Sequence, residues 1–472
     1  MPIHSAGPLT RRLLLQRAAA LGGLGVAGPL ALNLAAMGEA AAFDNSDYKA
    51  IVCVFLYGGN DFGNTVIPYD LPNYDLYSAI RGGGAGRTRG GIAWGHNDLD
   101  ATALTPVAPQ SLTDGIQYAL APNLVQMKNL FNAGKAAIQL NVGPLIVPLT
   151  LAQYNSSNRN LYPLPPKLFS HNDQQSVWQA LNSEGATVGW GGRFGDMALS
   201  SNGNALLTCI SASGNAVFVS GQTALQYQTS PNGAIAINAL QNPPWGSTQI
   251  RDALQSIITA TSTNVMEDEF TIVTRRSIQY EGIVNGALAN VNPTTAFDSA
   301  NPLAGQLKIV ARLIGARDQL GMKRQVFFVS LGGFDNHNSL MLDHPGLMAK
   351  LDSAVASFYQ ATVELGVADK VTLFTASDFG RTLASNADGS DHGWGGHHFV
   401  VGGAVNGGRY YGIAPHVSLE SDDQVGQGRL LPSTSVDQFA ATLARWFGVS
   451  TTELPTILPN IVNFGSSNIG FV

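Results

Sequence analysis

Lys49-Ala50-Ile51-Val52-Cys53-Val54-Phe55-Leu56-Tyr57 is apolar at nearly every position and halts at Gly58-Gly59-Asn60-Asp61. A run without polar alternation is buried on both faces, so it predicts a central parallel strand, with Cys53 as core filler. Gln325–Leu331 and Lys370–Ala376 predict two further strands. Between them, Leu347, Leu351, Val355, Phe358 and Leu365 share one face of a helix over Pro345–Leu365. Strand, helix and strand at this spacing predict a right-handed βαβ unit with two neighbouring parallel strands. Ala121–Ala133 and Ala136–Val142 predict another helix and strand, and His397–Val401 a further short strand. Ser435–Phe447 predicts a closing helix, with Ser435 as N-cap and Gly448 as its stop.

The rest of the chain is less periodic. Val265–Leu320 is helical, and Leu307, Val310, Leu313 and Ile314 form an apolar stripe that reads as core. Residues 185–262 are rich in Gly, Asn, Ser and Thr with short β-like runs, which predicts a loop- and hairpin-rich insertion. Arg81–Gly91 is glycine-rich but lacks the flanking strand and helix of a phosphate-cradling loop, so it predicts a flexible surface loop. The fold class is therefore α/β, a mostly parallel sheet flanked by helices in a single domain over 43–472.

Residues 1–42 have a different character. Thr10-Arg11-Arg12-Leu13-Leu14-Leu15 is a twin-arginine pair before a mildly apolar stretch that ends in Ala40-Ala41-Ala42. This pattern predicts an export signal read by the twin-arginine translocase and cleaved after Ala42, and a periplasmic or secreted product. Glycines at 22, 23, 25 and 28 and Pro29 make the stretch a poor spanning helix, and stable membrane insertion after cleavage is not expected.

Composition narrows the function classes. Charged residues are 12% of the chain, about half the usual share of roughly 25%, while the hydrophobic fraction is an ordinary 45%. Intrinsic disorder is excluded on that balance. The net charge is −6, and no basic run follows the first twenty residues, which excludes a nucleic-acid partner. Two cysteines, Cys53 and Cys209, rule out a disulfide framework or a thiolate metal site.

The candidate chemistry collects where strands end. In an open parallel sheet, ligands bind beyond the carboxyl ends of the strands. Asp61, Asp335 and Asp378 each follow a predicted strand, and His337 lies two residues past Asp335, on the same side of an extended segment. Asp391-His392-Gly393-Trp394-Gly395-Gly396-His397-His398 adds a carboxylate and three imidazoles on a glycine-loosened stretch. Asp and His donors together suit zinc, manganese or another divalent ion, and an all-oxygen subset suits calcium. The alternative for each Asp is a helix or turn cap. Of His397 and His398 only one enters the site, because adjacent strand residues face opposite ways. Exposed aromatics such as Trp190 and Trp245 would suit a carbohydrate or protein surface.

The motifs FLYGGNDFGNTVIPYD, LFSHNDQQSVWQ, GWGGRFGDM, VSLGGFDNHNSL, TASDFGRT, DHGWGGHHFVVGGAV and QFAATLARWFGV, with the leader, resemble the exported bacterial family catalogued as domain of unknown function 1501. That family is related by motif to the alkaline phosphatase and sulfatase-like superfamily, and the resemblance spans nearly the whole chain. It implies an alkaline phosphatase-like core and a divalent metal, held by Asp61, Asp335, His337, Asp378 and His392 or His397. It also implies a nucleophile at the start of a helix, which falls on Ser170, a residue that equally reads as a plain N-cap. Phe379 stands where the superfamily's phosphatases carry a His, and Asp335 and His337 lie closer together than in their pattern.

Two functions remain open on this reading. One is an exported metal-dependent hydrolase of phosphate or sulfate esters, acting on a small-molecule or polysaccharide substrate, with Arg381 as a clamp for the anion. The other is a non-catalytic exported binding or assembly protein that keeps the fold and one metal.

Overall fold

The computed structural model describes residues 43–472, so the leader expected at 1–42 lies outside the described residues. In chain order the main elements are β1 (Lys49–Tyr57), α1 (Leu71–Ile80), α2 (Val125–Asn132), β2 (Ala136–Gly143), α3 (His171–Ala180) and α4 (Trp190–Ala198). Then come β3 (Cys209–Ser211), β4 (Gln226–Ser230), α5 (Val265–Leu288), α6 (Pro302–Gly315) and β5 (Arg324–Gly332). The chain closes with α7 (Leu340–Glu364), β6 (Val371–Ser377), β7 (Gly396–Gly402) and α8 (Val436–Phe447). These strands form one sheet in the order β2-β7-β6-β1-β5-β3-β4, extended by short pairings at both ends.

The fold class is α/β, with a mostly parallel sheet flanked by helices. β6, β1, β5, β3 and β4 run parallel, and β7 is antiparallel to both of its neighbours. β1 is buried on both faces, as its unbroken apolar run requires. Ala50, Val52, Val54 and Leu56 pack with Leu307 and Val310 of α6 and Leu351 and Val355 of α7. The alternate residues Ile51, Cys53 and Phe55 pack with Phe194 of α4 and Phe439, Leu443 and Phe447 of α8. Ser435 caps α8 through a capping box with Gln438, and Gly448 ends the helix at φ 120°.

Three expectations change. β5 and β6 are not neighbours, because β1 lies between them and pairs in parallel with both, Val52 standing opposite Phe327 on one side and Leu373 on the other. The α7 crossover therefore passes over β1, which is how an early strand becomes the centre of the sheet. The stretch 185–262 is not a separate insertion throughout. Residues 190–230 of it supply α4, packed under the sheet, and β3 and β4, which extend it in parallel; the one hairpin joins β4 to Gly233–Ala234. These strands are three and five residues long, too short to carry a periodic signal. In the Arg81–Gly91 loop, Arg81 is fully buried and the loop closes on itself between Gly84 and Thr88, so its glycines serve a fixed turn. Among the described residues no helix is long and apolar enough to cross a membrane.

Candidate metal centre

The parallel strands deliver their polar residues to one edge. Asp335 and His337 follow β5, Asp378 and Arg381 follow β6, His392 precedes β7, and His171 opens α3. The approach is close enough to demand glycine after β1. Gly58 has φ 118°, and a Cβ there would stand 2.4 Å from the Asp335 backbone nitrogen. Gly59 has φ 84°, and a Cβ there would enter the Phe379 ring.

Three imidazoles are each held by Nδ1. His171 Nδ1 lies 2.7 Å from Asp378 Oδ2, a buried carboxylate that also accepts from Gln175 Nε2 at 2.8 Å. His337 Nδ1 lies 3.1 Å from Asp391 Oδ1, and His392 Nδ1 lies 2.7 Å from the Phe169 carbonyl. Each partner is an acceptor, which assigns the proton to Nδ1 and leaves a bare lone pair on each Nε2. All three Nε2 atoms turn to one oxygen, Asp335 Oδ1, at 3.5 Å from His171, 3.2 Å from His337 and 3.4 Å from His392. The Nε2 atoms of His337 and His392 are 2.8 Å apart, where two lone pairs repel unless a cation or a proton lies between them. His171 Nε2 is buried without a hydrogen-bond partner.

These features fit a divalent metal. Donor atoms of His171, Asp335 and His392 lie within 4.8 Å of one another, and His337 joins them through Asp335 and His392. Anchored Nδ1–H groups behind metal-facing Nε2 atoms are the usual outer support of such sites. Asp335 is 48% exposed and His337 38%, so the cluster opens to solvent on one side. On the other, the Phe379 ring packs 4.9 Å from His171 and 4.6 Å from His392, centroid to centroid. The phenyl ring therefore forms an apolar wall behind two of the candidate ligands.

Protonation follows the same geometry. The Asp378 hydrogen bond raises the His171 pKa above its ordinary value against the effect of burial. Burial pushes Asp335 up, yet the Arg381 hydrogen bond and charge, with His171 and His337, outweigh it and hold the carboxyl below the usual range. Burial lowers His392, which favours the neutral ring that a metal requires.

The other expected residues stand elsewhere or act at one remove. Asp61 is buried and fully engaged: Oδ2 receives Arg81 Nη2 and Ser390 Oγ, each at 2.7 Å, and Oδ1 receives the Asn64 N–H at 2.9 Å. The cation beside Asp61 is thus a guanidinium. Asp378 holds His171 and stands behind it. Arg381 is enclosed, its Nη1 2.9 Å from both Asp335 Oδ1 and the Gly58 carbonyl and its Nε 3.0 Å from the Ser390 carbonyl. It fixes the Asp335 carboxylate and is not free to clamp an anion. His397 is buried, accepts from the Asn141 N–H at 3.1 Å and packs against Phe62, its pKa lowered to about 4 by burial. His398 is buried against Trp178, so neither of the pair reaches the cluster. The Ser170 hydroxyl donates to Asp173 Oδ2 at 3.1 Å and makes no cap bond to the α3 backbone. Trp190 is buried, whereas Trp245 is exposed.

Sequence reasoning passed over His171 in favour of the neighbouring Ser170. The available signal was the spacing of His171 and Gln175, four apart on one helix face, which lets both grip the single carboxylate of Asp378.

Fold and site together define an α/β protein with a histidine-rich cluster at the carboxyl edge of its parallel strands, whose donor atoms could hold a metal ion. The chain belongs to the family described as protein of unknown function (DUF1501), whose profile matches residues 48–456. Among solved structures it is similar to Ps i-CgsB in complex with k-i-k-neocarrahexaose, at 9% identity and a TM-score of 0.34, covering 88% of this chain and 77% of that one. The lipoteichoic acid synthase LtaP from Listeria monocytogenes matches at 8% identity and 0.34, covering 90% and 80%. The PsFucS1 sulfatase from Pseudoalteromonas sp. matches at 9% and 0.34, covering 87% and 69%. No curated protein matches the sequence.

Proposed function

We propose that this protein is an exported metal-dependent hydrolase of phosphate or sulfate esters, with one divalent ion held by His171, Asp335, His337 and His392. The observation that carries the reading is the meeting of three Nδ1-anchored imidazoles on a single carboxylate oxygen. Three nitrogen donors and one oxygen suit zinc, whereas calcium takes six to eight oxygens. When bound, the ion supplies Lewis-acid polarisation of an ester oxygen. Asp378, Asp391 and the Phe169 carbonyl set the imidazole orientations, and Arg381 sets that of Asp335. Ser170 directly precedes His171, and the Asp173 carboxylate is placed to take its hydroxyl proton, which makes Ser170 the candidate nucleophile. Export rests on Arg11 and Arg12.

A specific observation also favours a non-catalytic binding or assembly protein. Four protein donors would leave no open position on a four-coordinate ion, as at a structural zinc, and Arg381 is spent on Asp335. Elemental analysis of the purified protein, followed by turnover of p-nitrophenyl phosphate and p-nitrophenyl sulfate with and without chelator, separates the readings. Chelator-sensitive turnover supports the hydrolase, bound metal without turnover supports the second reading, and absence of any bound metal defeats both.

A further inference from the structure

The first nineteen residues of α5 bury a single side chain, Thr271, whose hydroxyl donates to the Ala260 carbonyl; the helix docks on the core through its last third, by Tyr280, Ile283, Val284, Ala287 and Leu288. The projecting part is nevertheless apolar. Val265 is 82% exposed, Met266 80%, Phe270 68% and Val273 51%. Met266, Phe270 and Val273 recur at i, i+4 and i+7 and form the open stripe, which ends where Tyr280 turns onto Tyr227. This is the spacing of a helix–helix seam, and a monomer rarely leaves such a patch open to water.

Charge identifies the occupant. Glu267, Asp268 and Glu269 sit in the first turns of α5, and Arg275 and Arg276 follow about two turns later. Glu269 and Arg276 flank the apolar stripe. Two copies of α5 crossing antiparallel near Val273 set Glu269 of each beside Arg276 of the other, twice by symmetry. A parallel pair would stack like charges, and three carboxylates on the turn that carries Met266 and Phe270 oppose contact with an anionic membrane. We infer that this face binds a second copy of the chain through an isologous, antiparallel pairing of α5 helices centred near Val273.

Sedimentation equilibrium of the full chain tests this. Wild type should be dimeric, and Phe270→Asp should be monomeric with an unchanged circular dichroism spectrum, because Phe270 lies outside the hydrophobic core. Glu269→Arg and Arg276→Glu should each raise the dissociation constant about tenfold, and the double reversal should restore it, since each single reversal breaks both symmetry-related exposed pairs, about a factor of three apiece. A monomeric wild type overturns the inference. So do single reversals without effect, or a double reversal that dissociates further than either single one.

Discussion

At the scale of single residues, a carboxylate's role depends on its neighbour, and the sequence does not show the neighbour. Asp61, Asp335 and Asp378 look alike along the chain, each following a strand. In space, one neutralises Arg81, one faces three imidazoles and one orients His171. The first and third roles are separable by experiment. Asp61→Asn leaves the Arg81 guanidinium buried without its countercharge, so it should cost on the order of 3 kcal/mol of stability while metal affinity is unchanged. Urea denaturation and metal titration check both halves; a weakened metal with unchanged stability would make Asp61 a ligand. Asp378→Asn has the opposite signature. It removes the acceptor that holds His171 Nδ1–H and should weaken metal binding about 10- to 100-fold, the usual cost of losing such a support. Competition with a chromophoric chelator measures it, and unchanged affinity would show that His171 needs no anchor. Asp335, His337 and His392 were legible in the sequence because they share short motifs. His171 was not, because only the fold brings the start of α3 to them.

At the scale of elements, strands and long helices were legible wherever periodicity was unbroken, as in β1, β5, β6, α6 and α8. Order within the sheet was not, since the rule that a βαβ unit places its strands together allows one strand to lie between them, and β1 takes that slot. β3 and β4 escaped notice because their residues are recruited by the β5 edge and carry little pattern of their own. The turn after β1 is where element geometry and site meet. Gly58→Ala adds a Cβ that would stand 2.4 Å from the Asp335 nitrogen, in a backbone conformation L residues rarely adopt. It should lower both thermal stability and metal content by pushing the Asp335 loop outward. Gly86→Ala is the matched control: its φ is also positive, at 65°, but a Cβ there meets nothing within 4 Å. That variant should lose only about 1 kcal/mol from backbone strain and retain its metal. Equal metal loss in both variants would refute the close-approach argument.

At the scale of the whole molecule, stability sums over titrating groups of opposite sign, and the buried acids Asp352 and Asp437, raised by desolvation, run against Asp61, Asp335 and Asp391. Asp437 lies in the first turn of α8, where the helix dipole favours a carboxylate, and its oxygens face the Asn460 N–H at 3.2 Å. Burial still dominates: the side chain is 1% exposed, and its pKa is pushed up to about 6 against the help of Asn460 and Arg193. The folded state thus binds a proton that the unfolded chain releases near 3.8. The contribution of this group is fully present below that unfolded value and is lost as pH rises through about 6, a change on the order of 3 kcal/mol for a shift of this size. Asp61, Asp335 and Asp391 have lowered values and act in the opposite sense, their contributions disappearing as pH falls. Metal does the same, because its imidazoles must be neutral to bind. The Asp437 effect is therefore isolated by difference, in chelator, between wild type and Asp437→Asn. The variant should gain stability relative to wild type as pH rises from 3.8 to about 6, with the gap levelling off above about 6. Denaturant melts across that range measure it. A gap independent of pH would mean that Asp437 is ionised and compensated in the fold, and that the Asn460 and Arg193 contacts outweigh its burial.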